Sequence, residues 1–284
     1  MLFGFLNIYK PVGITSHDVV AKMRKITGIK QIGHTGTLDP FAEGVLPVCI
    51  GKATRLIEYL KDDKEYLATV QFGASTTTYD RDGEIVFTSD KKVLEEDVRR
   101  ALENFKGEIS QTPPLYSAIK IKGKKLYEYA RKGEIIEVQP RKVTIENIEL
   151  KSFNFDLQQA EILIKCSKGT YIRSIAYDLG QLLECGAHLI KLVRTQAGNF
   201  RIEDSIELRD DMNVLDNLIT PVDMLDYPKY FVGKDELEKI CHGMSVKNND
   251  IEHGSVVILV YNKNEICAVG TAENDRIKLK KVFL

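Results

Sequence analysis

The densest set of chemistry-bearing residues lies in Gly33-His34-Thr35-Gly36-Thr37-Leu38-Asp39-Pro40-Phe41-Ala42-Glu43-Gly44. The proline after Asp39 disfavours helical geometry and holds the carboxylate on extended backbone. Glycines on both sides let the chain bend closely around a bound group. An aspartate so placed can serve as a nucleophile or a general base. Two other readings fit the same residues. Asp39-Pro40 is also an ordinary turn dipeptide with a histidine nearby. His34, Asp39 and Glu43 offer a metal three ligands, fewer than a closed tetrahedral site needs.

A second constellation is Lys168-Gly169-Thr170-Tyr171-Ile172-Arg173-Ser174, where a strand hands over to a helix. Helix N-termini favour anions, so a cation in the first turn opposes the local dipole. Arg173 therefore needs a separate reason to be there. A carboxylate partner in a bidentate pair would supply it; the plain alternative is a solvated surface arginine. The third constellation runs from Gln111-Thr112-Pro113-Pro114-Leu115-Tyr116-Ser117 to Gly133, with basic residues interleaved with tyrosines. Lysine neutralises phosphate and tyrosine stacks on bases, a pairing that suits RNA. Lys120, Lys122, Lys124 and Lys125 are expected to act through phosphates. Leu126, Tyr129 and Ala130, spaced at three and four, read instead as the packed face of a helix.

The elements that must position these groups follow from periodicity. Residues 3–9 read as a strand. Ser16 is expected to cap a helix carrying Val19, Val20, Met23 and Ile26 on one face, closed by Gly28. A short helix over 52–60 follows. Residues 66–74 and 84–88 read as paired strands, with a tight turn at Asp82-Gly83. Leu94, Val98, Ala101, Leu102 and Phe105 mark an amphipathic helix ended by Gly107. Strands near 142–151 and 158–167, a helix over 171–184 and a strand over 188–195 complete an α+β pattern without regular βα alternation. After Tyr227-Pro228, β-rich runs at 256–261, 266–271 and 277–284 indicate a small β domain.

The 284 residues carry 40 Lys+Arg against 41 Asp+Glu, a formal net charge of −1. That excludes a protein gripping nucleic acid through its overall field, but leaves room for local patches. Residues 118–142 carry a net +5 and residues 201–227 a net −6. A nucleic acid is therefore expected on the side of the basic segment and Asp39, away from the acidic one. The five cysteines are scattered, with no C-x-x-C, which fits a reducing cytoplasm rather than a disulfide framework. The apolar start is interrupted by Asn7 and lacks a basic leader, so it reads as a strand rather than a signal peptide. No run of eighteen apolar residues could span a membrane.

Several motifs, in order, resemble the bacterial TruB family of tRNA pseudouridine synthases. They are Lys10-Pro11-Val12-Gly13-Ile14-Thr15-Ser16, the run Gly33 to Leu46, Lys64-Glu65-Tyr66, Thr76-Thr77-Thr78-Tyr79-Asp80-Arg81-Asp82-Gly83, Thr112-Pro113-Pro114-Leu115-Tyr116-Ser117-Ala118, Gly169 to Ser174, and Leu192-Val193-Arg194-Thr195. The resemblance implies a pseudouridine synthase fold, with a mixed, largely antiparallel central sheet over residues 1–227. It implies a small PUA-like RNA-binding domain over 228–284, although that tail is short and only mildly basic. The implied activity is isomerisation of uridine 55 in the tRNA T loop, without cofactor, metal or guide RNA, by a monomer needing no protein partner. Asp39 is implied as the catalytic aspartate and Arg173 as its partner. Tyr66 is implied to stack on the target base and help remove the proton at C5. Tyr171 and Leu192 are implied to line the pocket, and His34 to fill the space left by the flipped base, which displaces the metal reading. The insertion at about 107–142, with Lys120 and Lys124, is implied to close over RNA. Arg55 is a further candidate phosphate contact. A tRNA-folding role would be additional to this activity; a non-enzymatic RNA-binding or RNA-chaperone protein that kept the fold, and a guide-dependent or rRNA-directed synthase, are the competing readings.

Overall fold

A computed structural model describes residues 2–117, 119–121, 123–130, 132–134, 136–262 and 264–284. Ala118, Lys122 and Arg131 of the basic segment therefore lie outside the described residues, and with them the expectation for Lys122. The chain runs β1 (Gly4–Lys10), α1 (Ser16–Thr27), β2 (Ile32–His34), β3 (Glu43–Ile50), a 3-10 segment (Gly51–Tyr59), β4 (Lys64–Phe72), β5 (Ala74–Thr76) and β6 (Ile85–Thr88). It continues through α2 (Glu95–Leu102), β7 (Gly107–Gln111), β8 (Lys120–Ile121), β9 (Lys124–Lys125), α3 (Leu126–Ala130), β10 (Arg141–Asn154), β11 (Gln159–Cys166), α4 (Ile172–Leu182) and β12 (Ala187–Ala197). Then come β13 (Phe200–Arg201), β14 (Ile206–Glu207), α5 (Pro221–Met224), β15 (Lys229–Phe231), α6 (Lys234–Cys241), β16 (Val246–Lys247), β17 (Val256–Tyr261), β18 (Glu265–Ala272) and β19 (Arg276–Val282).

Ten of these strands form one mixed sheet in the order β14-β1-β3-β12-β4-β11-β10-β7, with β2 against β3 and β13 against β12. Most pairings are antiparallel; β1 with β14 and β3 with β12 are parallel. The alternation along β4, with Lys64, Tyr66, Ala68, Val70 and Phe72 buried, puts one of its faces into the core. That face packs with α2 and α4 residues such as Val98, Leu102, Ile175 and Leu179. On the other side of the sheet's midline, α1 packs Val19, Val20 and Met23 against β1 and β3.

The midline matters most for function. β3 and β12 pair over only Val193↔Glu43 and Arg194↔Gly44. Gly44 has φ +107°, and a Cβ there would come 2.3 Å from the Arg194 carbonyl oxygen. Only glycine lets the two backbones close this seam. Two bulges in the β12–β4 register, at Leu189/Lys191 and Arg194/Gln196, flank the same point. Bulges re-aim side chains, and here Leu192 and Arg194 both lie buried between them.

Two local expectations are corrected. The cap of α1 is Thr15, not Ser16. Thr15 is extended and its side chain accepts from the Asp18 N–H, while the Asp18 carboxylate accepts from the Thr15 N–H at 2.8 Å. Ser16 is already helical, and its hydroxyl turns inward. Residues 66–72 do not pair with 84–88; of the expected first strand, Ala74 alone meets it, opposite Thr88. Gly73, at φ +96°, ends β4 as a central strand, and the separate β5 pairs with β6. The 84–88 strand thus leaves the main sheet and carries the 76–83 loop towards α4.

Beyond residue 227, β15, β17, β18, β19 and β16 form a separate five-stranded sheet. It shares an apolar cluster with the main sheet, in which Ile258, Val260, Val269 and Phe283 pack with Phe5, Val45 and Leu56. Among the described residues, no helix is long and apolar enough to cross a membrane.

Candidate active site

The loop between β2 and β3 is pinned throughout. The Ser16 hydroxyl donates to the Leu38 carbonyl (3.1 Å) and accepts from the Leu38 N–H (2.8 Å). The Gly13 N–H donates to the Pro40 carbonyl, and the Thr35 N–H to that of Pro47. Buried Arg194 donates from Nη2 to the Gly36 carbonyl at 3.1 Å and from Nε to that of Val45 at 2.7 Å. Lys10, fully buried, donates to the carbonyls of Pro11 and Ile14. Burial pushes its ammonium down to about 8, against the opposing pull of Asp39. Asp39 thus sits on a rigid loop rather than a mobile one.

The guanidinium of Arg173, in the first turn of α4, is only 4% exposed. Its Nε lies 2.9 Å from Asp39 Oδ2, and its Nη1 lies 3.4 Å from Asp80 Oδ2. Nη1 also donates to the Thr78 carbonyl and Nη2 to the Tyr116 carbonyl, both at 3.0 Å. This fork explains a cation at a helix N-terminus: it joins two carboxylates and two loops that no ammonium could reach at once. Asp80 is itself fixed by the Thr78 hydroxyl (2.5 Å) and the Asp82 N–H (3.1 Å). Burial pushes the Asp80 carboxyl up, against the pull of Thr78 and Arg173. Tyr79, at φ +64°, stacks on Tyr177 of α4 with centroids 4.0 Å apart, which seats the loop that presents Asp80.

These groups open onto a cleft of about 320 Å³. Asp39, Tyr66, Tyr171, Arg173 and Leu192 all line it, so the structure brings together five of the residues singled out from sequence. Tyr66 is paired across strands with Arg194. Burial pushes its phenol up, while the Arg194 guanidinium draws it down. Tyr171 is clamped through its backbone: Gln111 Oε1 accepts from its N–H (2.8 Å), and Gln111 Nε2 donates to its carbonyl (3.0 Å). The Ser174 hydroxyl donates to the Thr112 carbonyl. The basic segment is therefore stitched at its base to the first turn of α4.

His34 ends β2, beside the cleft rather than in its lining, with Nδ1 buried and unpartnered. Burial lowers its imidazole, with Arg194 and His17 adding to the effect, so the ring is neutral at pH 7. Lys120 and Lys124 stand exposed on the β8–β9 hairpin, outside the cleft. Leu126 is buried, as the packed-face reading expects, whereas Tyr129 and Ala130 are only half-buried, and Tyr129 donates to the Ile121 carbonyl. Arg55 is not brought to the cleft. Its guanidinium donates to the Val282 carbonyl at 2.8 Å and lies over the Phe283 ring, so the C-terminal sheet occupies it. Among the described residues no His, Cys, Asp and Glu cluster could hold a metal.

Two cleft residues, Lys64 and Arg194, had no role assigned from sequence, nor had Asp80, which pairs with Arg173 outside the cleft lining. Each sat inside a quoted motif. A charged residue on the buried phase of an alternating strand was the available signal for Lys64 and Arg194. Asp80, in a threonine-rich loop, looks like a turn residue, and no local pattern marks it.

Comparison with known proteins agrees with this geometry. Residues 24–172 match the family model of the TruB family pseudouridylate synthase N-terminal domain. Residues 173–225 match that of the tRNA pseudouridylate synthase B C-terminal domain. A protein named tRNA pseudouridine synthase B from Caldanaerobacter subterraneus subsp. tengcongensis is 44% identical over 284 residues, 99% of each chain. One of the same name from Pelotomaculum thermopropionicum is 45% identical, covering 99% of this chain and 94% of its own. Among solved structures, a Cbf5-Nop10-Gar1 complex matches with TM-score 0.73 and 28% identity, over 99% of this chain and 85% of that one. An H/ACA RNP bound to a substrate RNA containing 2′-deoxyuridine matches with TM-score 0.74 and 26% identity, over the same shares. The pinned aspartate loop, the arginine fork and this full-length likeness lead to one conclusion: the chain has the pseudouridine synthase fold and belongs to the TruB family of pseudouridylate synthases, which are isomerases.

Proposed function

We propose that this protein converts uridine 55 in the T loop of tRNA to pseudouridine, acting alone and in the cytoplasm, without cofactor. The observation that carries the reading is Asp39 held by Arg173 in one cleft with Tyr66 and Leu192. The reaction breaks the N1–C1′ bond, turns the base, joins C5 to C1′, moves the C5 proton to solvent and takes up a proton at the freed N1, with no net change in composition. Asp39 either bonds covalently to the nucleotide or removes a sugar proton. Both routes need a pocket that keeps the detached base. Tyr66 is assigned to stack on it and Leu192 to line the pocket, with the Tyr66 hydroxyl assigned to help take the C5 proton. The target leaves its stack at a cost of a few kcal/mol. Neutral His34 is suited to fill the vacancy. Lys120 and Lys124 are assigned to phosphates of the T arm, and residues 228–284 to a PUA-like role.

The test is tritium release from C5-labelled uridine in an isolated T-arm stem-loop with purified protein. Asp39→Asn should bind the RNA nearly as the wild type does and release no tritium. Release from that variant at the wild-type rate would remove Asp39 from the chemistry. Product only after a guide RNA is added would favour guide-dependent action.

A further inference from the structure

We infer that Lys64 is a further catalytic residue, whose ammonium faces the uracil when the base is detached and holds its negative charge. The inference rests on the proposed isomerisation. When N1–C1′ breaks, the bonding pair leaves with the base and spreads over N1, O2 and O4. The pair returns when C5 attacks C1′, so the cation is needed only between the two steps and transfers no proton. An interaction stronger in that state than in the bound uridine speeds the reaction.

The geometry is particular. Lys64 and Tyr66 occupy alternate positions of β4 and so share its buried face. Lys64 is 8% exposed and lines the cleft with Tyr66, Asp39 and Leu192. Its Nζ donates to the carbonyls of Asp62 (2.9 Å) and Asp63 (3.4 Å). The third N–H has no partner among the described residues. A buried ammonium costs several kcal/mol unless matched by an anion, and no carboxylate stands within ion-pair distance of this one among the described residues. Asp62 instead pairs with Lys168 at 2.6 Å. Gly36 covers the lysine stem: a Cβ there would stand 3.5 Å from Lys64 Cε and 3.7 Å from Arg194 Nη1. Of the two cations beneath Gly36, Arg194 is tied by two carbonyls to the loop and the seam. Lys64 has no such tie to the loop, and one of its N–H groups has no partner among the described residues. The site is thus built as a cation waiting for an anion.

The charges around Lys64 are Arg194 on β12, Asp62 and Asp63 before β4, and the Cys166 thiol on β11. Burial, then Arg194, push its ammonium down to about 8, while Asp62, Asp63 and Cys166 oppose. Its charge should therefore be lost as pH rises through about 8. An arginine at this position would stay charged.

Single-turnover pseudouridine formation and stem-loop affinity are measured for the wild type, Lys64→Met and Lys64→Arg across pH 6.5–9.5, with melting temperatures. Wild-type turnover of the T-arm RNA tests the underlying reading separately; if it fails, that reading falls whatever the variants do. Lys64→Met should bind within about 3-fold of wild type and turn over about 100-fold more slowly, as when one charge-stabilising donor is removed. Lys64→Arg should recover to within about 10-fold of wild type and lose the alkaline decline near pH 8. A Lys64→Met rate within about 3-fold of wild type overturns the inference. So does a Lys64→Arg profile that keeps the same alkaline decline, which remains decisive if the methionine variant folds poorly.

Discussion

Replacing Asp80 with asparagine tests whether the second carboxylate on Arg173 aims the first. The substitution keeps the volume and can keep the Thr78 and Asp82 hydrogen bonds. It removes one charge 3.4 Å from Arg173 Nη1. At an effective dielectric near 20, that attraction is roughly 5 kcal/mol before desolvation. The raised Asp80 carboxyl shows that burial costs more than Arg173 and the hydrogen bonds return. The net change in folding stability should therefore be about 1 kcal/mol or less, of either sign. The effect on turnover should be larger. A neutral hydrogen bond is about half as strong as a charge-assisted one, so Arg173 gains freedom and Asp39 with it. A loss of about 1.4–2.8 kcal/mol in the transition state corresponds to a rate decrease of about 10- to 100-fold. Single-turnover tritium release at saturating RNA, beside denaturant unfolding, measures both. A wild-type rate, or a loss confined to RNA affinity, would refute the argument that Asp80 works through Arg173. The pH dependence has a definite sign. Because the folded carboxyl is raised, the stability linked to its proton is present at acid pH and is lost as pH rises through the folded value. Turnover should move oppositely, falling as Asp80 takes up a proton, and Asp80→Asn should lack that acid limb.

Gln111→Leu should cost about 2 kcal/mol in denaturant unfolding, because it leaves the Tyr171 N–H and carbonyl without their partner. It should also slow turnover by loosening the first turn of α4; unchanged stability would show that water replaces the clamp. Lys120→Ala and Lys124→Ala should each reduce the slope of log affinity against log salt by about 0.7–0.9, with little change in the rate at saturation. A flat salt response in the wild type would take the hairpin off the RNA backbone.

The readable parts of this chain were those where local pattern and packing agree. The alternation in β11 and the helical spacing over 95–105 were visible because one face of each is buried. Asp39, Arg173, Tyr66, Tyr171 and Leu192 were identified through ordered motifs, and they converge on one cleft. What escaped was set by distant partners. Thr15 rather than Ser16 caps α1 because Ser16 is needed by Leu38, more than twenty residues away. The 84–88 strand was assigned to the wrong neighbour because β4 finds β11 and β12 instead. Arg55 looked like a free basic residue because its partner, Val282, lies at the far end of the chain. Asp80 gained meaning only once the loop around Tyr79 had been folded onto α4.

The seam at Gly44 also bears on how such a chain can drift in length. The basic hairpin of β8 and β9 stands outside the main sheet. Residues gained or lost there leave the pairings of β3 and β12 in register. Between Asp39 and Gly44 the chain has no such slack. One extra residue there would swing Asp39 off the arginine and turn the following strand over. The chain can therefore lengthen at that hairpin, while the few residues that span the midline are held to a fixed count.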